Sequence, residues 1–164
     1  MALHEQCVGA TSEWYTPPHV FKALGCSFDM DVASPGKEKT PWIPADTFIC
    51  QASLAREWRG FIWMNPPFGG RNALVPWLEK FFTHNNGIAL VPDRTSAPWW
   101  QSFAPKASSI LFVAPKIKFI GTNGYHGKSP AQGTCLMAAG EYAMDALSVA
   151  RANGLGVLTI PTTI

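Results

Sequence analysis

The sequence predicts one α/β domain: an open, mostly parallel sheet with helices on both faces and room for an antiparallel hairpin of the last strands at one edge. Three observations carry this. Apolar runs of strand length, such as Phe61-Ile62-Trp63-Met64 and residues 88–91 and 110–113, alternate with segments of helical period, the order that builds parallel sheets. These runs contain no polar residue, as strands buried on both faces require. Glycine and proline, 14 each in 164 residues, make up about 17% of the chain against roughly 12% in average usage, which marks many short connections and disfavours a helical bundle.

Taken in order, residues 1–12 show neither period and are expected to form a loose arm, leaving 13–164 as the folded domain. Thr16-Pro17-Pro18 opens a helix: Thr16 is placed to cap, Pro17 suits the first helical position, Val20, Phe21 and Leu24 share a face, and Gly25 supplies the stop. Phe28-Asp29-Met30-Asp31-Val32 reads as a short strand ending in the turn-rich Ala33-Ser34-Pro35-Gly36, and ligands bind at the carboxyl ends of such strands. Pro41 and Pro44 break residues 37–59, which offer one strand near 47–50 and a helical turn over 53–58. The strand Phe61-Ile62-Trp63-Met64 runs directly into Asn65-Pro66-Pro67-Phe68, where two prolines end its ladder. Leu74, Trp77, Leu78, Phe81 and Phe82 then form an apolar helical stripe that Gly87 closes. A strand at 88–91, a helix around 97–103, a strand at 110–113, a glycine-rich loop over 121–133, a strand at 134–138 and a helix over 142–153 complete the scheme.

The bulk numbers exclude several classes. A net charge of +2 and a pI near 8.4 admit nucleic acid but fall far short of a protein held to DNA by charge alone. Cys7, Cys26, Cys50 and Cys135 form no C-x-x-C pair and follow no apolar leader, so reduced thiols packed in the core of a cytoplasmic protein are expected. No apolar run approaches the ~20 residues that span a bilayer. His4 and Cys7 have an H-x-x-C spacing but lack the second pair that zinc needs, so no metal site is expected. His19, His84 and His126 pair with no nucleophile in any recognisable pattern.

The chemistry concentrates in Asn65-Pro66-Pro67-Phe68. Two prolines at a central strand end hold the backbone stiff and strip it of N–H donors, leaving an acceptor edge. The Asn65 side-chain oxygen and the Pro66 carbonyl can both accept from one planar NH2 group while Phe68 stacks on its ring. An aromatic amine suits that edge, because its lone pair is delocalised into the ring and must be drawn out of conjugation before it attacks a methyl group.

Trp14-Tyr15-Thr16-Pro17, Phe28-Asp29-Met30-Asp31-Val32-Ala33-Ser34 and Trp63-Met64-Asn65-Pro66-Pro67-Phe68 together resemble the phage-type Dam family of DNA N6-adenine methyltransferases, over about residues 13–140. The resemblance implies a Rossmann-like class I S-adenosyl-L-methionine methyltransferase fold acting on flipped-out adenine in double-stranded DNA. It implies that Thr16 and Pro17, with Tyr15 beside them, line the methionine end of the donor. Asp31, Ala33 and Ser34 then form the loop under the donor's amino group, Asn65 borders donor and base alike, and Asp46 is the candidate acid for the ribose. Arg71, Arg94, Lys116 and Lys118 are the candidate DNA contacts, with loops 69–72 and 121–133 as recognition elements. A viral origin and a role in evading host restriction are implied by the family alone, and the chain is expected as a monomer or weak dimer.

The chain departs from the family pattern in three places. No G-x-G follows the acidic strand, residues 35–60 are short for a further strand and helix, and Phe68 and Asn65 stand where tyrosine and aspartate are common. Two other readings compete: a methyltransferase of another amine, an RNA base or a protein glutamine, and an inactive module that keeps only donor and DNA binding.

Overall fold

The computed structural model describes residues 14–70, 72–127 and 132–162. Seven strands form one sheet: β1 Phe28–Asp31, β2 Ala45–Phe48, β3 Ile62–Met64, β4 Gly87–Pro92, β5 Ser109–Val113, β6 Thr134–Ala139 and β7 Gly156–Thr159. Their order across the sheet is β2-β1-β3-β4-β6-β5-β7. Among the described residues four α-helices accompany them: α1 Pro18–Leu24, α2 Val75–His84, α3 Pro98–Phe103 and α4 Glu141–Ala152.

The sheet is mixed, which corrects the expectation of a mostly parallel one. β1 pairs in parallel with β2 and β3, and β3 with β4. β6 runs antiparallel to β4 and β5, and β7 antiparallel to β5. The isolated antiparallel bridges Tyr15–Ile120 and Ile120–His126 put antiparallel contacts ahead. No helix is assigned between β5 and β6 among the described residues, so β6 returns beside β5 without the crossover that parallel neighbours need. An apolar run encodes burial and leaves strand direction to the connection.

Helices cover both faces, as expected. On one face α2 and α3 bury Trp77, Leu78, Phe81, Trp99, Trp100 and Phe103; on the other α1 and α4 bury Val20, Phe21, Leu24, Ala143, Leu147 and Ala150. Between them β4 is buried along its whole length, with Ala89 and Val91 facing the first cluster and Ile88 and Leu90 the second. That is the period-two alternation of a strand with core on both sides. Val91, Ile88 and Leu90 each contribute about 1.5–3 kcal/mol by leaving water, which favours this register of the central strand.

Local details differ from the sequence reading in informative ways. Pro17, with extended backbone, is the N-cap of α1 and no side chain caps that helix, so the Thr16 hydroxyl is used elsewhere. Helix α2 is closed by Asn85 in the left-handed region (φ 55°), its N–H bonded to Phe81 O, rather than by Gly87. Gly87 begins β4, where a Cβ atom would lie 2.5 Å from the Ile62 carbonyl, so glycine there permits the close β3–β4 pairing. The expected strand at 47–50 begins earlier, at Ala45, and β7 was not anticipated.

Candidate active site

The chain leaves β1 toward β2 on one side, whereas β3 leads to β4 on the other, so the strand order reverses between β1 and β3. Such a reversal opens a crevice beyond the carboxyl ends of the strands. Asp31 is in register with Trp63, which places Asp31 on one lip and Asn65, just past β3, on the other. Because β6 runs backwards beside β4, Thr134 stands opposite Pro92 and brings Gln132 and Gly133 to the same end.

A pocket of about 570 Å³ occupies this crevice. Trp14, Tyr15, Thr16 and Phe119 form one wall; Asp31, Ala33, Pro35, Thr40 and Ile43 another; Trp63 and the run Asn65, Pro66, Pro67, Phe68 and Gly69 border it from β3; Pro92, Gln132, Gly133 and Thr134 close the remaining side. All four residues of the Asn-Pro-Pro-Phe strip thus line it, with Tyr15, Thr16, Asp31 and Ala33.

Asn65 is half-buried, and its side-chain Nδ2 donates to Trp14 O at 3.3 Å and Thr16 Oγ1 at 3.2 Å. A carbonyl oxygen can only accept, so the NH2 end of the amide must face Trp14 and the Oδ1 end must turn away. Among the described residues Oδ1 takes part in no hydrogen bond. The segment holding the amide is itself fixed: Tyr15 exchanges backbone hydrogen bonds with Ile120 at 2.8 and 2.9 Å, and the Trp42 indole N–H donates to Thr16 O at 2.8 Å.

Asp31 is 1% exposed, and burial pushes its carboxyl up to about 7, although hydrogen bonds from Ala33 N–H (3.2 Å) and from Ser34 pull the other way. Ser34 Oγ in turn accepts from Gly36 N–H at 2.9 Å. Ser34 therefore supports Asp31 from behind and is absent from the pocket wall. A buried acid so placed is poised to gain a cationic partner.

Phe68, 40% exposed, and Trp14, 51% exposed, stand at the rim beside a small hairpin that begins the expected glycine-rich loop. In it Gly127 N–H bonds to Phe119 O, Gly121 N–H to Tyr125 O, and Tyr125 projects from the tip, 76% exposed. Trp14 packs across its glycines: a Cβ on Gly127 would sit 2.8 Å from the indole. Ile117 and Phe119 are buried while Lys116 and Lys118 are exposed, so the segment leading into the hairpin alternates in burial although it is not a strand of the sheet.

The other candidates lie elsewhere. Pro17 is buried at the start of α1, outside the pocket wall, and Asp46 is exposed in the middle of edge strand β2, away from the strand ends. Arg94 is exposed and its Nε donates to Gln132 Oε1 at 2.9 Å, bracing the loop after β4 against the pocket wall. Arg71, His4, Cys7 and the arm at 1–12 fall outside the described residues. Among the described residues no group of three or more His, Cys, Asp or Glu side chains is placed to hold a metal ion, and no helix is long and apolar enough to cross a membrane.

A sheet whose order reverses over a crevice, with a buried acid on one lip and a proline-stiffened amide on the other, defines an α/β protein with a pocket at the strand ends, the place where open α/β sheets take their ligands. A family model described as DNA N-6-adenine-methyltransferase (Dam) matches residues 7–151, and the chain belongs to that family. Membership implies adenine methylation in DNA and a methyl donor of the S-adenosylmethionine type. No curated protein and no solved structure matches the chain.

Proposed function

We propose that the chain transfers a methyl group from S-adenosyl-L-methionine to N6 of adenine in double-stranded DNA, acting on a base turned out of the helix. The single observation that carries this reading is the Asn65 amide, clamped by its nitrogen so that its oxygen is presented at a proline-stiffened strand end. S-adenosyl-L-methionine supplies an electrophilic methyl group on a sulfonium, together with an amino-acid ammonium group. The chain's residues suit it: Asp31 offers a buried carboxylate for that ammonium, and a pocket of about 570 Å³ is within the ~300–1,000 Å³ usual for such ligands.

Asn65 Oδ1 and the Pro66 carbonyl accept the two N6 protons, which draws the nitrogen lone pair out of the ring and points it at the methyl carbon. Both acceptors are set before the reaction begins, so they need no reorganisation in the transition state, and one such bond is typically worth about 3 kcal/mol of barrier. Asparagine is no base at neutral pH, so the proton leaves to water after transfer. Phe68 stacks on the extruded base, offsetting an unstacking cost of a few kcal/mol. Lys116 and Lys118, both exposed, contact phosphates of the flanking duplex in this reading and position it without reading sequence.

Single-molecule sequencing of DNA from cells expressing the chain, beside an Asn65→Ala control, tests the reading. Expected is N6-methyladenine at a defined site in the first sample and its loss in the second. Methyl transfer from labelled donor to RNA or protein alone would overturn it.

A further inference from the structure

We propose that Thr16 and the Trp14 carbonyl act as a positioning clamp for Asn65, and that this clamp makes the site one for an amide rather than a carboxylate. The inference rests on the reading that Asn65 Oδ1 accepts from the substrate amine. Thr16 is 1% exposed, its carbonyl is pinned by the Trp42 indole, and its hydroxyl, unused as a helix cap, lies 3.2 Å from Asn65 Nδ2. The Trp14 carbonyl completes the fork at 3.3 Å, and its residue is wedged against Gly127.

An aspartate at position 65 would turn one carboxylate oxygen toward the Trp14 carbonyl. Two acceptors would then face each other with no proton between them. The Thr16 hydroxyl can rotate to donate, but a main-chain carbonyl has no such freedom. A protonated aspartic acid, by contrast, mimics the amide: its O–H donates toward Trp14 and its C=O remains the acceptor. Asp31 and Tyr15 are the other titratable groups lining the pocket, so the pH response of a variant is read as its ratio to wild type.

The test compares Thr16→Val, Thr16→Ser and Asn65→Asp in the full-length protein. Thr16→Val should lower kcat at least about tenfold, a larger factor than any weakening of donor binding, as small misplacements of a reacting group do, and Thr16→Ser should restore it. Asn65→Asp should lose on the order of 100-fold near pH 8, and its ratio to wild type should climb as pH falls. In ¹⁵N-labelled protein the Asn65 side-chain NH2 resonances, assigned by their loss in Asn65→Ala, should move toward free-amide positions in Thr16→Val and hold in Thr16→Ser. That spectrum needs no turnover, so it separates a failed clamp from a failed substrate reading. Unchanged NH2 resonances in Thr16→Val, a loss of donor affinity with kcat intact, or an Asn65→Asp enzyme as active as wild type would each overturn the proposal.

Discussion

The two lips of the crevice are built on different principles. At the end of β1, Asp31 is nearly inaccessible and its carboxyl is pushed up to about 7, so this lip is an ionisable group withheld from water. At the end of β3, Asn65 is half-buried and uncharged, and this lip works through geometry: two prolines after it and a two-point clamp on its nitrogen. One pocket thus offers two environments, an ionisable group on one lip and a neutral fixed acceptor on the other, which suits a cationic partner on the first and an uncharged amine on the second.

The largest effect should come from breaking the geometric lip. Asn65→Ala is expected to reduce the methylation rate by about 100- to 1,000-fold, measured in single turnover, while donor affinity changes by less than about tenfold. Breaking the charged lip should act on the other partner. Asp31→Asn is expected to weaken donor binding by on the order of 30-fold through loss of a desolvated charge pair, and calorimetry should show wild-type affinity falling as pH drops below about 7 while the variant's stays flat.

The same residue gives a stability signature of defined sign. In the folded protein Asp31 keeps its proton up to about pH 7, whereas the unfolded chain releases it near the ordinary 3.8. Between those values the folded state binds more protons, so stability falls as pH rises from about 4 to about 7 and is level beyond. The difference is on the order of 4 kcal/mol. Urea melts of wild type and Asp31→Asn should therefore agree near pH 4 and separate by pH 8, with Asn the more stable; parallel curves would show that Asp31 is not desolvated.

Smaller effects test the rim. Phe68→Ala should raise the KM for DNA roughly tenfold, in keeping with ~1–3 kcal/mol per stacked base, and leave donor binding alone. Lys118→Ala should weaken DNA binding only a few-fold for every sequence tried and reduce the slope of log affinity against log salt by about one. A change confined to one DNA sequence would instead mark Lys118 as a base reader.

Much of this arrangement is legible along the chain. Phe61 to Met64 announce a doubly buried strand because no polar residue interrupts them, and Asn65-Pro66-Pro67-Phe68 stands out because prolines end a ladder there. The stripe from Leu74 to Phe82 predicts helix α2. β7 escaped notice because it is an edge strand of only four residues, half-buried on one face, whose Gly-Val-Leu-Thr carries a weak pattern. Thr16 reads as a helix cap from its neighbours, yet its partner lies 49 positions away. Asp46 is an acid near a strand, and only its exposed mid-strand position shows that it stands outside the pocket.

Local pattern alone marks the buried central strands, the helices with an apolar stripe and the tetrapeptide with the chemistry of an acceptor edge, because each of these depends on residues within one or two turns of each other; the half-exposed edge strand β7 carries no such mark. Only the tertiary structure decided that β6 runs backwards between β4 and β5, that Asp31 loses its water, and that Trp14 and Thr16 fix the Asn65 amide. Those outcomes depend on contacts between segments far apart in the chain, and a local pattern of apolar and polar residues carries no record of which distant partner will supply a hydrogen bond or exclude solvent.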